Sequence, residues 1–92
     1  MAHFTLTRGE VSKAIVHKTV DEVWYCVDGS GEMWREFDGK GEITLLRTGT
    51  CVSIPVGTRF QFRAGEADLK AVAVTMPPWP GEDEAVFVEG IW

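Results

Sequence analysis

Glycine and proline punctuate this chain at intervals of about ten residues, which is the spacing of turns between short strands. Ten glycines and four prolines fall within 92 residues, so helices have little room. The pattern predicts an all-β chain, an antiparallel β-sandwich closed into a small jelly-roll barrel. Arg59-Phe60-Gln61-Phe62-Arg63 alternates polar and aromatic side chains. One face of that strand should be buried and the other wet. Strands are also predicted over Val11–His17, Glu22–Val27, Glu32–Phe37, Glu42–Leu46, Cys51–Ile54 and Leu69–Met76. Asp38-Gly39-Lys40-Gly41 provides a hairpin signal between two of them. Leu69–Met76 is apolar on both faces and should be covered on both sides.

Pro77-Pro78-Trp79-Pro80-Gly81 ends regular pairing, because proline donates no ladder hydrogen bond and restricts its predecessor. Residues 1–92 therefore read as one barrel, with 77–92 as a tail that packs on the barrel or on a partner. A single helical turn has room in Gly81–Ala85. Glu82-Asp83-Glu84 reads as a solvated turn.

Composition narrows the function classes. Fourteen acidic residues against nine basic ones leave a formal charge of −5, and the basic residues are scattered. Nucleic-acid surfaces need clustered Lys and Arg, so no such partner is expected. No apolar run approaches the ~20 residues of a membrane helix, and the first residues lack the charged-then-apolar pattern of a leader. Cys26 and Cys51 both sit in apolar runs, as buried free thiols do, which favours a reducing cytoplasm. A chain this short buries only about 60% of its unfolded-state surface. Val23, Tyr25 and Val27 form an outward apolar stripe, and together these features predict a homodimer.

Two spaced motifs carry a family resemblance. His17 precedes Glu22, which is followed after six residues by Gly29, and Gly49 is followed after five residues by Pro55-Val56-Gly57. These spacings resemble the two cupin motifs, and the resemblance implies a β-barrel with a cavity. It also implies where metal ligands would stand in a metal-binding cupin. Two of the four positions are changed: the first histidine falls on Ile15, and the histidine of the second motif falls on Phe60. His17 and Glu22 remain, and a divalent ion held by one imidazole and one carboxylate would be bound weakly. No tightly held metal is expected. Gln61 lies on the opposite face from Phe60, and His3 precedes the first predicted strand.

Strand parity extends this reading, since side chains two apart share a face. Ile15 with His17, Glu22 with Trp24 and Cys26, and Phe60 with Phe62 should line one chamber, with Met33 nearby. Apolar walls with few polar groups suit a small-molecule ligand, and Trp24 offers a stacking face. His17 and Glu22 also read as a catalytic dyad, the carboxylate fixing the ring and the imidazole moving a proton near neutral pH. Metal-free sugar epimerases of the cupin superfamily are similar, but they add a tyrosine acid, and Tyr25 has the wrong parity. Two classes of function therefore stand open: binding of a small, partly apolar or sugar-like metabolite, and enzymatic chemistry, either a metal-free isomerase, epimerase or lyase or a weakly metal-dependent cupin enzyme. A third reading makes His17 and Glu22 ordinary polar residues at a barrel mouth. Trp34, Trp79 and Trp92 read as packing residues, and Cys26 as a structural thiol.

Overall fold

The structure, a computed structural model, describes residues 1–92 apart from the side chain of Glu82. Its strands are β1 Ala2–Leu6, β2 Ile15–His17, β3 Asp21–Asp28, β4 Ser30–Phe37, β5 Lys40–Arg47, β6 Cys51–Ile54, β7 Arg59–Ala64, β8 Leu69–Met76 and β9 Ala85–Phe87. They form a four-stranded sheet in the order β1-β8-β3-β6 and a five-stranded sheet in the order β5-β4-β7-β2-β9. Every pairing is antiparallel. The two inner faces enclose a core that includes Trp24, Met33, Leu46, Phe60 and Leu69. This is the expected jelly-roll β-sandwich. No helix among the described residues is long and apolar enough to cross a membrane.

The turns explain why the motif glycines are glycines. Gly29, Gly49 and Gly57 have φ of 91°, 93° and 82°, a region that a Cβ disfavours. At Gly29 the restriction is doubled, because a Cβ would fall 1.7 Å from the Asp68 carbonyl oxygen. Asp38 and Gly39 also take positive φ, 54° and 77°, as a two-residue hairpin turn between right-twisted strands requires.

Five expectations need correction. The first strand is Ala2–Leu6, whose His3-Phe4-Thr5-Leu6 alternation lay unread ahead of the Thr7–Glu10 break. It pairs with β8, Phe4 opposite Ala71. The stretch read as a strand from Val11 contributes only Ile15–His17 to the ladder. Ahead of it the Ser12 side chain accepts the Phe62 N–H at 3.0 Å, so a hydroxyl replaces a regular backbone partner. β8 is covered on its inner face only: Val74 and Met76 are exposed, since no second layer of this chain lies outside the four-stranded sheet. Cys51 is likewise exposed on that outer face, whereas Cys26 is buried, and both are free thiols.

The outer face of β7 is not wet at Gln61, which is buried. Its Nε2 donates to the carbonyls of Ser12 and Trp92 at 2.9 and 3.2 Å. Its Oε1 accepts the N–H groups of Ile91 and Trp92 at 3.0 and 3.1 Å. The last residues thus cross the outside of the five-stranded sheet, and Trp92 lies under the Arg63 guanidinium at 4.1 Å. Upstream of them, β9 pairs with β2, placing Ala85 opposite His17.

Candidate functional site

A cavity of about 850 Å³ opens between the sheets, and Ile15, His17, Glu22, Trp24, Phe60 and Phe62 all line it. Three strands deliver these six residues. β2 and β7 are paired neighbours, with Ile15 opposite Phe60, so residues of equal parity project to the same side. β3 faces them from the other sheet with Glu22 and Trp24. Cys26 and Met33, expected nearby, lie in the core instead.

His17 Nε2 stands 3.4 Å from Glu22 Oε1. Trp24, two residues along the same face, donates its indole N–H to the other Glu22 oxygen. The Phe60 ring meets His17 edge to face at 5.2 Å. His17 and Glu22 are both buried. Burial disfavours each charged form: it pushes the His17 imidazole below 6.5 and the Glu22 carboxyl above 4.5, with the Trp24 bond opposing the second shift. A neutral imidazole that turns Nε2–H toward Glu22 leaves Nδ1 as a bare acceptor, and Nδ1 has no partner.

A second carboxylate acts on this pair, one read from the sequence as part of a solvated turn. Glu84 lies in a single 3-10 turn, Glu82–Glu84, and its side chain is buried. It accepts the Thr19 N–H at 2.6 Å, the Thr19 hydroxyl at 2.5 Å and the Val20 N–H at 3.0 Å. Burial resists its ionisation, but these bonds and the nearby His17 ring outweigh that and hold its carboxyl below 4.5. In return, its charge partly offsets the effect of burial on His17. The turn from β2 to β3 leaves backbone donors open, and a residue 65 positions away satisfies them.

The donor set does not fit a tightly held metal. Ile15 and Phe60 offer no ligand atom, Gln61 is committed on the outer face, and His3 sits on the face of β1 opposite Phe4. Among the described residues, no three His, Cys, Asp or Glu side chains converge.

Phe4 and Trp79 are among the cavity residues that the sequence does not mark. Phe4 stacks on Trp24 at 5.3 Å and 6°, and Phe62 meets the same indole edge to face at 4.6 Å. Trp24 is only 2% exposed, so it does not offer the free stacking face expected of it. Trp79, taken for a packing residue, stands against His17 at 5.2 Å and 78° with 46% of its surface exposed. Tyr25 is 48% exposed on the outer face, with the parity expected of it.

The sequence profile of the cupin domain matches residues 2–75. This chain belongs to the cupin family. Solved structures share the fold at low identity. Oxalate decarboxylase from Bacillus subtilis has a TM-score of 0.88 at 20% identity, over 94% of this chain and 22% of that protein. The capsular polysaccharide assembling protein CapF from Staphylococcus aureus has 0.83 at 18% identity, over 96% and 27%. The coconut allergen cocosin has 0.76 at 21%, over 79% and 20%. The cupin described here thus spans about a quarter or less of the length of these proteins, and the likeness is one of fold. No curated protein matches the sequence.

Proposed function

We propose that this cupin binds a small, partly apolar or sugar-like metabolite between its sheets without a tightly held metal. The chamber itself supports the reading: about 850 Å³ lies within the ~300–1,000 Å³ typical of small-molecule sites, and its walls are mostly aromatic and aliphatic. Covering the partly buried Ile15 and Phe62 drives binding at about 25 cal/mol per Å² of apolar surface, while His17 and Glu22 orient polar groups of the ligand. The test is a thermal-shift screen of cyclic and sugar-like metabolites, followed by NMR of the hits. Binders should raise the melting temperature and shift the amides of Ile15 and Phe60. A screen in which no compound moves either amide would end the proposal.

A second reading rests on the 3.4 Å approach of His17 to Glu22: a metal-free isomerase, epimerase or lyase with His17 as base and Glu22 positioning it. Such chemistry needs an acid or oxyanion donor across the substrate, and the exposed Tyr25 does not supply one. The measurement is exchange of a substrate C–H in D2O, which His17→Asn should abolish.

We also place the chain in the cytoplasm, where its free thiols stay reduced, as a homodimer joined through Val23, Tyr25 and Val27. Light scattering at twice the 10.2 kDa chain mass is the expected result, and a monomer at tens of micromolar refutes it.

A further inference from the structure

We propose that Trp79 is the residue through which the cavity recognises its ligand, and that the ligand presents the face of an uncharged ring. The inference rests on the reading of the cavity as a ligand site and adds who holds the ligand and what charge it carries. The aromatic lining divides into committed and open side chains. Trp24 and Phe60 are each 2% exposed, and Trp24 is covered by Phe4 and crossed by Phe62. Trp79 pairs with His17 alone among the aromatic rings of the cavity, and nearly half of its surface is exposed. An exposed tryptophan on a soft loop would lose freedom on binding, but this one is mounted stiffly. Prolines 77, 78 and 80 surround it, fixing their own φ and restricting the residues before them. Just beyond, the three bonds to Glu84 pin the segment to Thr19 and Val20 beside His17. A large, preorganised indole gives contact area at little ordering cost.

Charge selects against ions. Inside the chamber, among the described residues, the ionisable pair His17 and Glu22 is mutually engaged. At the rim Lys13 turns its ammonium over the Phe87 ring at 4.9 Å. A charged ligand drawn into the chamber would thus be desolvated beside a pair already engaged with itself, away from the rim ammonium of Lys13. A neutral ring, aromatic or pyranose, meets no such penalty.

The test uses phenol, indole and methyl β-glucopyranoside as neutral probes, with benzoate and benzylamine as charged counterparts, titrated into 15N-labelled protein. At least one neutral probe should shift the Trp79 Nε1–H together with the Ile15 and Phe60 amides. Trp79→Ala should weaken it tenfold or more, ~1.4 kcal/mol; Trp79→Phe, which keeps a ring face, should weaken it less, and the charged probes should bind the wild type at least tenfold more weakly. Unchanged affinity in a folded Trp79→Ala, or a charged probe that binds as tightly, overturns the inference while leaving the cavity reading intact. No shift of Ile15 and Phe60 with any probe overturns both. Should Trp79→Ala fail to fold, the wild-type indole signals decide: a Trp79 signal that stays still while Ile15 and Phe60 move refutes the inference.

Discussion

Gln61→Leu should release the C-terminal residues from the outside of the five-stranded sheet. Leucine preserves the bulk of the side chain and removes all four of its hydrogen bonds, to Ser12, Ile91 and both backbone groups of Trp92. At a net ~1 kcal/mol each, their loss is worth at most about 4 kcal/mol. The amides of Ile91 and Trp92 and the Trp92 carbonyl regain water once the strap lifts, so the net cost should be about 2–3 kcal/mol. For a domain of this size each kcal/mol moves Tm by roughly 4–8 °C, and the fall should be about 10–20 °C.

Circular dichroism reads the melting temperature, and native-state hydrogen exchange of Ile91 and Trp92 reads the strap itself. Gly90→Ala offers an independent route to the same event, because its Cβ would stand 2.2 Å from Gln61 Oε1 and 2.8 Å from the Ala14 Cβ. Both changes act on one strap, so the double variant should lose less than the sum of the single losses. A fall of less than about 3 °C in Gln61→Leu, or Ile91 and Trp92 amides that already exchange freely in the wild type, would refute the clamp.

His17 should titrate below 6.5 by NMR, and Glu84→Gln should lower its midpoint further by removing the charge that raises it; a higher midpoint in the variant contradicts the assignment. Because His17 is depressed in the folded state, its contribution to stability is complete above pH 6.5 and is lost as pH falls from there through the folded pKa. Urea unfolding across that window should therefore flatten in His17→Gln. Glu22 runs the other way: its raised pKa stabilises the fold in acid, and that contribution disappears as pH rises from 4.5 through the folded value. Trp24→Phe deletes the indole donor to Glu22, so carboxyl 13C shifts should show Glu22 titrating higher still. Wild-type protein should hold no stoichiometric transition metal after dialysis, whereas Ile15→His combined with Phe60→His should acquire zinc by elemental analysis; a wild-type ion lost in His17→Ala refutes the donor argument.

Much of the fold was legible because its signals are local. The positive φ at Gly29, Gly49 and Gly57 is written as glycine, and the inner face of β7 is written as Phe60 and Phe62. Parity within β2, β3 and β7 grouped the six cavity residues strand by strand, since a strand's period of two needs no knowledge of its partners, and the cupin resemblance marked those faces as the inner ones. The boundaries of β2 failed where a Ser12 hydroxyl substitutes for a backbone group. Hydropathy carries no mark of that exchange.

The misread site residues share a different cause. Trp79, Glu84 and Gln61 each owe their environment to a segment far away in sequence: Glu84 to Thr19, Gln61 to Trp92, Trp79 to His17. Glu84 shows why composition misleads here. Three successive acids suggest solvent, yet the turn after His17 leaves the Thr19 and Val20 amides without a backbone partner, and a buried donor such as that of Val20 must find an acceptor. A carboxylate arriving on a short 3-10 turn meets the need, and the strand that follows seals it by pairing with β2. The C-terminal segment thus closes the donor deficit, supplies the charge acting on His17 and mounts the one broadly open indole of the cavity lining. In a barrel of nine short strands, the inner walls are set by alternation. Trp79, on the proline-rich segment after β8, has no alternation rule to place it over the cavity.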